Sequence, residues 1–296
     1  MSSKSNSRGW EAVFETVRGA SHISAELPNQ DAVEISAVRN TRIAAVADGH
    51  GGKGYIRSEV GSRFAVEIAT QELKKLLELP AKRLLSFHHS ELEYDLANRI
   101  VRQWVERATR HFQQRCFSDE QIAAFPTLQQ YPIRAYGTTL LAAAASDQLA
   151  VFVQIGDGDI LMVAPSGQVK RPFERDPLFI GNETASLCSA DADQQVRITL
   201  KVLNRGDADN DTALILLSTD GYSNCFKDEA SFAQVGKDYL NLFKQDQGIS
   251  LIQKNLNTWL RQASDQYSSD DITVAMLYRA IRKRSLSKRA SGAEED

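Results

Sequence analysis

Four short acidic segments of this 296-residue sequence have residue types and spacing suited to metal binding. They contain Asp48, Asp157, Asp220 and Asp270. Apolar runs lead into the first and third of these aspartates, and another run begins just after the last. Carboxylates held at the ends of buried strands form a rigid, oxygen-rich site, which hard divalent cations prefer. A pair of such cations can support hydrolysis without a nucleophilic side chain.

The turn that starts at Asp48 has the sequence Asp-Gly-His-Gly-Gly. Its glycines let the backbone turn sharply and approach a ligand closely, and a carbonyl of the turn can itself ligate Mg²⁺ or Mn²⁺. A helical pattern over residues 53–79 begins just beyond, so its positive end is expected to favour an anion near the turn. A lone Asp-Gly pair predicts only a loop, whereas four acidic turns in similar strand contexts predict a shared site.

A second acidic group, Asp207, Asp209 and Asp211, has the spacing with which a calcium-binding EF-hand loop starts. That loop needs a glycine where this chain has Thr212, and a bidentate acid where it has Ser218. The pattern therefore excludes an EF-hand and predicts a solvated turn.

The composition is that of an ordinary globular protein, with 42% apolar and 25% charged residues. A net charge of −3 argues against bulk nucleic-acid binding. No stretch approaches the roughly 20 apolar residues of a membrane span, so no membrane partner is expected. The polar start of the chain lacks the apolar core of a signal peptide. Cys116, Cys188 and Cys225 fit neither a disulfide framework nor a zinc site, which favours a reduced, cytoplasmic protein.

Apolar periodicity predicts the elements that must position these acids. The first half has strand patterns over 10–18 and 31–47, followed by two helices with apolar stripes that Pro80 separates. In the second half the predicted strands are 140–145, 149–155, 160–164, 196–203, 212–217 and 271–279, and the predicted helices are 229–243 and 249–263. A Gly-Asp-Gly-Asp segment at 156–159 predicts a tight hairpin turn. Residues 165–195 have no clear pattern, and part of them is expected to form a flap.

The order of these elements lacks the regular strand–helix alternation of a parallel α/β fold. It favours an α+β fold of mainly antiparallel sheets with helices outside. We expect one domain over residues 10–281, a flexible leader over 1–9 and a disordered, charged tail over 282–296.

Taken together, the acidic segments resemble motifs of the metal-dependent serine/threonine phosphatases of the PPM (type 2C) family, in its compact bacterial form. The resemblance covers roughly residues 10–280. The matching motifs, in order, are Asn29-Gln30-Asp31, Asp48-Gly49-His50-Gly51-Gly52, Gly137-Thr138-Thr139, Gly156-Asp157, Thr219-Asp220-Gly221 and Asp270-Asp271-Ile272-Thr273. The fold that this implies is an α-β-β-α sandwich of two packed, mainly antiparallel sheets.

The resemblance also implies a ligand set for two or three Mn²⁺ or Mg²⁺ ions. Asp48 is expected to bridge two metals, and the Gly49 carbonyl to help hold one of them. Asp220 and Asp270 are expected to ligate the other. Asp157, together with Asp220, matches the position that binds a third metal.

Further roles follow from the same resemblance. Asp31 is expected to fix metal-bound water from behind the ligands. A metal-bridging water is expected to attack phosphorus in line, while His50 protonates the departing oxygen. The substrate would be a protein that carries phosphoserine or phosphothreonine.

The sequence departs from the family pattern at the phosphate-binding arginine, where it has Glu26. Arg18 and His22 are the nearest upstream candidates for a replacement, and a fork-shaped guanidinium suits phosphate better than an imidazole does. Asp271 stands where the family often has asparagine, and either binds through water or caps the strand. Two alternatives to a protein phosphatase therefore remain: a pseudophosphatase that binds phosphoproteins without turnover, and a phosphomonoesterase for small metabolites.

Overall fold

The computed structural model describes residues 9–84, 89–174, 185–203, 207, 209 and 211–279. The expected tail over 282–296, nearly all of the expected leader and residues 175–184 of the expected flap lie outside these ranges. No helix within them has the length and apolar character needed to cross a membrane.

Strands and helices alternate irregularly along the chain. The strands are β1 Trp10–Val17, β2 Ala32–Val38, β3 Thr41–Ala47, β4 Leu140–Ala145, β5 Leu149–Ile155, β6 Asp159–Val163, β7 Val169–Lys170, β8 Arg197–Val202, β9 Leu214–Ser218 and β10 Ile272–Arg279. The α-helices are α1 Ala20–Ser24, α2 Ser58–Leu77, α3 Ala81–Leu84, α4 His89–Gln114, α5 Asp119–Ala124, α6 Thr127–Gln130, α7 Ala192–Gln195, α8 Asp220–Ser223, α9 Glu229–Phe243 and α10 Gly248–Ala263. A 3₁₀ helix spans Pro132–Tyr136, and a π-helical turn spans Ser264–Ser268.

The strands form two antiparallel sheets of five strands each, which confirms the expected α+β sandwich. One sheet has the order β1-β10-β9-β6-β7, and the other has the order β2-β3-β4-β5-β8. Trp10, Val46, Phe152 and Leu217 pack between the sheets. Helices α2 and α4 cover the outer face of one sheet, and α9 and α10 cover the other. Central strands are thus buried on both faces, which explains their continuous apolar runs.

The Gly-Asp-Gly-Asp segment does not form the predicted hairpin. Strand β5 pairs with β4 and β8, whereas β6 pairs with β7 and β9 in the other sheet. The segment therefore carries the chain from one sheet to the other. Gly156 makes the crossing possible, because its φ of 99° is strained for other residues and a Cβ there would lie 2.5 Å from the Thr139 methyl carbon.

The predicted solvated turn is wrong for Asp211, which is buried. Its carboxylate accepts a hydrogen bond from Arg279 at the end of β10. The Arg279 guanidinium also lies 5.1 Å from the ring centre of Trp10. Asp207 and Asp209, by contrast, are exposed. An ion pair between residues so distant in sequence leaves no signal in the local pattern.

Helix α2 approaches the segment before β4 most closely at Gly61. A Cβ at this position would lie 1.8 Å from the Tyr136 carbonyl oxygen. The Trp104 indole of α4 donates to the Gly61 carbonyl at 2.9 Å. The close approach of Gly61 to Tyr136 fixes the chain just before Gly137, where the polar motif Gly-Thr-Thr begins.

We predict that Gly61→Ala lowers the free energy of unfolding by about 1–3 kcal/mol, because overpacking against a backbone carbonyl outweighs the gain in helix propensity of about 1 kcal/mol. The matched control is Gly236→Ala in α9, where the nearest atom is a Val163 methyl carbon at 3.0 Å that can move. It should stay within about 1 kcal/mol of the wild type in urea unfolding. Equal stability of Gly61→Ala and the wild type would contradict the close approach.

Candidate active site

A polar cavity of about 430 Å³ brings most of the predicted site residues together. It is lined by Ser21, His22, Gln30, Asp48, Gly49, His50, Gly51, Thr139, Asp157, Asp220, Ser268, Ser269 and Asp270. Asp31 is buried and is not part of this lining. Arg18 does not line the cavity either. It is exposed, and its Nη1 donates to the Leu27 carbonyl at 3.2 Å.

The backbone at Asp48 is fixed by the Gly-Thr-Thr segment. The Asp48 N–H donates to Thr139 Oγ1 at 3.0 Å, and its carbonyl accepts from Thr138 Oγ1 and from the Thr139 N–H, both at 2.8 Å. On the other side, the Gly49 N–H donates to the Gln30 carbonyl at 3.1 Å. The motif identifies the two threonines, but not their role in fixing the turn.

The backbone next to Asp220 requires a glycine at position 221. A Cβ on Gly221 would lie 2.1 Å from the Asp271 carbonyl oxygen. This close approach brings the start of α8 against the start of β10, and so places Asp220 beside Asp270. Asn224 donates to Asp220 Oδ2 at 3.1 Å and orients the carboxylate.

Asp31 lies in a network of hydroxyl groups. Thr219 Oγ1 donates to Asp31 Oδ2 at 2.8 Å, and the same Thr219 oxygen accepts the Thr273 N–H at 3.0 Å. The other carboxylate oxygen of Asp31 is buried without a hydrogen-bond partner among the described residues, as is Oε1 of Gln30 in the cavity wall. Buried oxygen atoms without donors are the kind of acceptors that a cation or its bound water would satisfy.

Burial and mutual repulsion raise the pKa values of this carboxyl cluster. Burial raises the pKa of Asp48 well above its usual range, and the charges of Asp31 and Asp220 raise it further. For Asp31, burial again comes first and the charge of Asp271 second. Burial also raises the pKa values of Asp220 and Asp270. Positive charge in the cavity would relieve both effects.

The donor set thus fits hard divalent cations, although the side chains alone do not enclose one. Within the described ranges, no three acidic, histidine or cysteine side chains already surround a metal-sized point. Backbone and water oxygens would have to complete the ligand set, and Mg²⁺ in particular usually keeps several waters. The Gly49 carbonyl is a candidate for such a ligand. Asp157, on the sheet-to-sheet crossing, is exposed at the edge of the cavity.

His50 lies at the rim of the cavity. Its N–H donates to the Gly137 carbonyl at 3.1 Å, and its ring meets Tyr55 edge-on with 4.9 Å between ring centres. The side chain of Arg134 is exposed, and its guanidinium lies 5.2 Å from the Tyr55 ring centre. The imidazole therefore lines the cavity in a position fixed by packing.

Sequence reasoning missed the role of Asp271. Its buried carboxylate accepts the N–H groups of Gly19 and Gln30, both at 2.6 Å, and lies 2.8 Å from Nδ1 of His22. It therefore fastens the loop between β1 and β2 to the start of β10. The doubled acid at 270–271 was the only signal of this role in the sequence.

A sequence model of the protein phosphatase 2C family matches residues 18–261 of this chain. The match covers most of the chain and stops shortly before Asp270. The chain therefore belongs to the protein phosphatase 2C family, and it is a phosphatase enzyme of that metal-dependent class. A search of curated proteins found no significant match.

Solved bacterial phosphatases share the fold. The serine/threonine phosphatase Stp1 from Staphylococcus aureus has a TM-score of 0.54 at 19% identity, over 96% of this chain and 100% of that one. The serine/threonine phosphatase of S. agalactiae has a TM-score of 0.54 at 16% identity, over 91% and 99%. The catalytic domain of the phosphatase PstP, solved with two manganese ions, has a TM-score of 0.51 at 16% identity, over 91% and 97%. At such identities the likeness establishes the fold alone.

We predict that Asp48→Asn stabilises the metal-free protein near neutral pH by about 1–3 kcal/mol. Folding raises the pKa of this carboxyl, so its favourable contribution to stability is lost as the pH rises through the folded-state pKa. The neutral amide of the asparagine removes the cost of keeping a charged carboxylate in this cluster. Thermal unfolding without metal measures the gain.

The same variant should lose most of the stabilisation by Mn²⁺, which for a wild-type site at 100 times its dissociation constant is about 2.7 kcal/mol. Asp95→Asn, which changes an exposed aspartate of α4, is the matched control and should behave as the wild type in both conditions. An Asp48→Asn protein that is no more stable without metal, or equally stabilised by Mn²⁺, would contradict this account of the cluster.

Proposed function

We propose that this chain is a metal-dependent protein phosphatase that hydrolyses phosphoserine and phosphothreonine. One observation carries the proposal: Asp48, Asp220 and Asp270, which are far apart in sequence, line one cavity with His50. Membership of the protein phosphatase 2C family supports it. The three cysteines are free thiols, which agrees with a cytoplasmic enzyme.

The family resemblance implies which residues would hold the metal ions, and all of them line the cavity. Asp48, the Gly49 carbonyl, Asp220 and Asp270 would hold two Mn²⁺ or Mg²⁺ ions. Asp157 would contribute to a third ion beside Asp220. Bound cations supply positive charge for the phosphate oxygens and lower the pKa of water, which then serves as the nucleophile.

The remaining roles belong to protein groups. Asp31, held by the Thr219 hydroxyl, would accept a hydrogen bond from water at the base of the cavity and orient it. His50 would donate a proton to the alkoxide oxygen of the departing serine or threonine. A positioned histidine supplies about 10²–10⁴ in rate, whereas phosphate-monoester hydrolysis is among the slowest uncatalysed reactions, for which enzymes reach about 10²¹. Most of the acceleration must therefore come from charge and positioning at the carboxylate cluster.

The direct test is turnover of a phosphothreonine peptide with Mn²⁺ and after chelation. We expect activity only with the metal, and a loss of at least about 10³-fold in Asp48→Asn. Asp95→Asn should keep wild-type activity. A wild-type protein that binds the peptide without turnover would instead be a pseudophosphatase, and preferential hydrolysis of small phosphorylated metabolites would reassign the substrate.

A second prediction separates the role of His50 from general damage to the site. His50→Ala should slow turnover of the phosphothreonine peptide by about 10² or more, because an alkoxide leaves poorly without a proton. The same change should slow turnover of p-nitrophenyl phosphate by less than about tenfold, because nitrophenolate needs no proton to leave. Equal losses on the two substrates would remove His50 from the role of proton donor.

A further inference from the structure

His22 lies in the cavity, and one nitrogen of its imidazole is beside a buried carboxylate. Its Nδ1 is 2.8 Å from Oδ2 of Asp271, whose side chain is 3% exposed. The same carboxylate accepts the N–H groups of Gly19 and Gln30, so its orientation is fixed. This contact is at ion-pair distance but outside hydrogen-bond geometry, and Nε2 is the ring nitrogen on the side of the glycine-rich turn.

The backbone around His22 is also held in place. The Ser21 N–H and hydroxyl both donate to the Ser269 carbonyl, at 2.9 and 2.6 Å. A Cβ on Gly19 would lie 2.3 Å from the Asp270 carbonyl carbon, so the loop packs directly against the strand that carries Asp270. The imidazole is thus positioned relative to the proposed metal ligands by several contacts at once.

Nε2 of His22 faces the glycine-rich turn. It lies 3.8 Å from the point where a Cβ on Gly51 would be, and Oε1 of Gln30 lies 3.5 Å from the same point. The Gln30 side chain is 7% exposed, lines the cavity, and its Oε1 has no hydrogen-bond partner among the described residues. Because an amide oxygen is an acceptor, its lack of a partner indicates a donor or a cation beside the imidazole, such as water on a metal ion, and not the phosphate oxygen itself.

The other candidate for a phosphate-binding group does not reach the cavity. Arg18 is exposed and donates to the Leu27 carbonyl. Arg57, which precedes α2, donates to the Tyr136 hydroxyl at 2.7 Å and lies over the Phe117 ring. Neither arginine lines the cavity.

We propose that His22, oriented by Asp271, binds a non-bridging oxygen of the substrate phosphate through Nε2–H, in place of the arginine that Glu26 replaces. This rests on the proposed phosphatase function. The imidazole lies beside the Asp271 carboxylate and has Nε2 on the side of the glycine-rich turn. It offers the phosphate one donor, whereas an arginine offers a two-pronged fork. His22 is then a substrate-binding residue, and Asp271 is a positioning residue.

Asparagine and glutamine at position 22 separate phosphate binding from a structural role. Asn places its amide near the position of Nδ1, so His22→Asn keeps the link to Asp271 and loses the outer donor. Gln places its amide near the position of Nε2, so His22→Gln keeps the outer donor and loses the link. The measurements are kcat and KM for a phosphothreonine peptide with Mn²⁺, and the binding of inorganic phosphate by calorimetry.

We expect His22→Ala and His22→Asn to raise KM and the phosphate dissociation constant together by about tenfold or more, the effect of losing a hydrogen bond to a charged group. His22→Gln should retain most of the affinity, and Arg18→Ala should match the wild type. If Asn preserves both constants while Gln raises them, or if Arg18→Ala raises them instead, the proposal is overturned. His22-dependent phosphate binding without peptide turnover would leave this inference standing and reject the proposed function alone.

Discussion

The desolvation and mutual repulsion of buried and half-buried carboxylates are the constraint around which this site is built. Asp31, Asp48, Asp220 and Asp270 all have raised pKa values, because burial disfavours their charged forms and several of them also repel one another. Such a cluster is unfavourable for a folded protein by itself. Cations that bind between these carboxylates would offset this cost. Without them, the rest of the fold must hold the acids together.

The fold meets this requirement through its backbone. Gly49 and Gly221 allow approaches that a side chain would block. A Cβ on Gly49 would lie 2.6 Å from the Gln30 carbonyl oxygen, and one on Gly221 would lie 2.1 Å from the Asp271 carbonyl oxygen. The N–H and carbonyl groups of Asp48 both form hydrogen bonds with Thr139, which satisfies the main chain of the turn. The Asp48 carboxylate is left to face the cavity. Rigid support of this kind keeps ligating groups in position when the metal alone could not.

The acidic residues and most helices and strands could be predicted from the sequence, each for its own reason. Strands 140–145 and 149–155 and helix 229–243 have the predicted bounds, because apolar pattern and local propensity agree in them. The acids could be located because each adjoins such a run. Residue pairing was less predictable: the segment at 156–159 has the composition of a hairpin turn, yet its two strands belong to different sheets. Strand partners are chosen by packing across the whole fold, which a local pattern does not record.

The same limit explains Asp211, Asp271 and His22. Asp211 pairs with Arg279, and Asp271 binds backbone groups some 240 residues earlier in the chain. From the sequence, Arg18 was the better phosphate-binding candidate, because guanidinium chemistry suits phosphate. Position decided otherwise, since His22 lines the cavity and Arg18 does not.

Anomalous diffraction from crystals grown with Mn²⁺ tests the central claim most directly. The account predicts at least two manganese peaks in the cavity, bounded by the carboxylates of Asp48, Asp220 and Asp270. Crystals with millimolar Mn²⁺ that show no peak among these three side chains, or peaks only elsewhere on the surface, would contradict it.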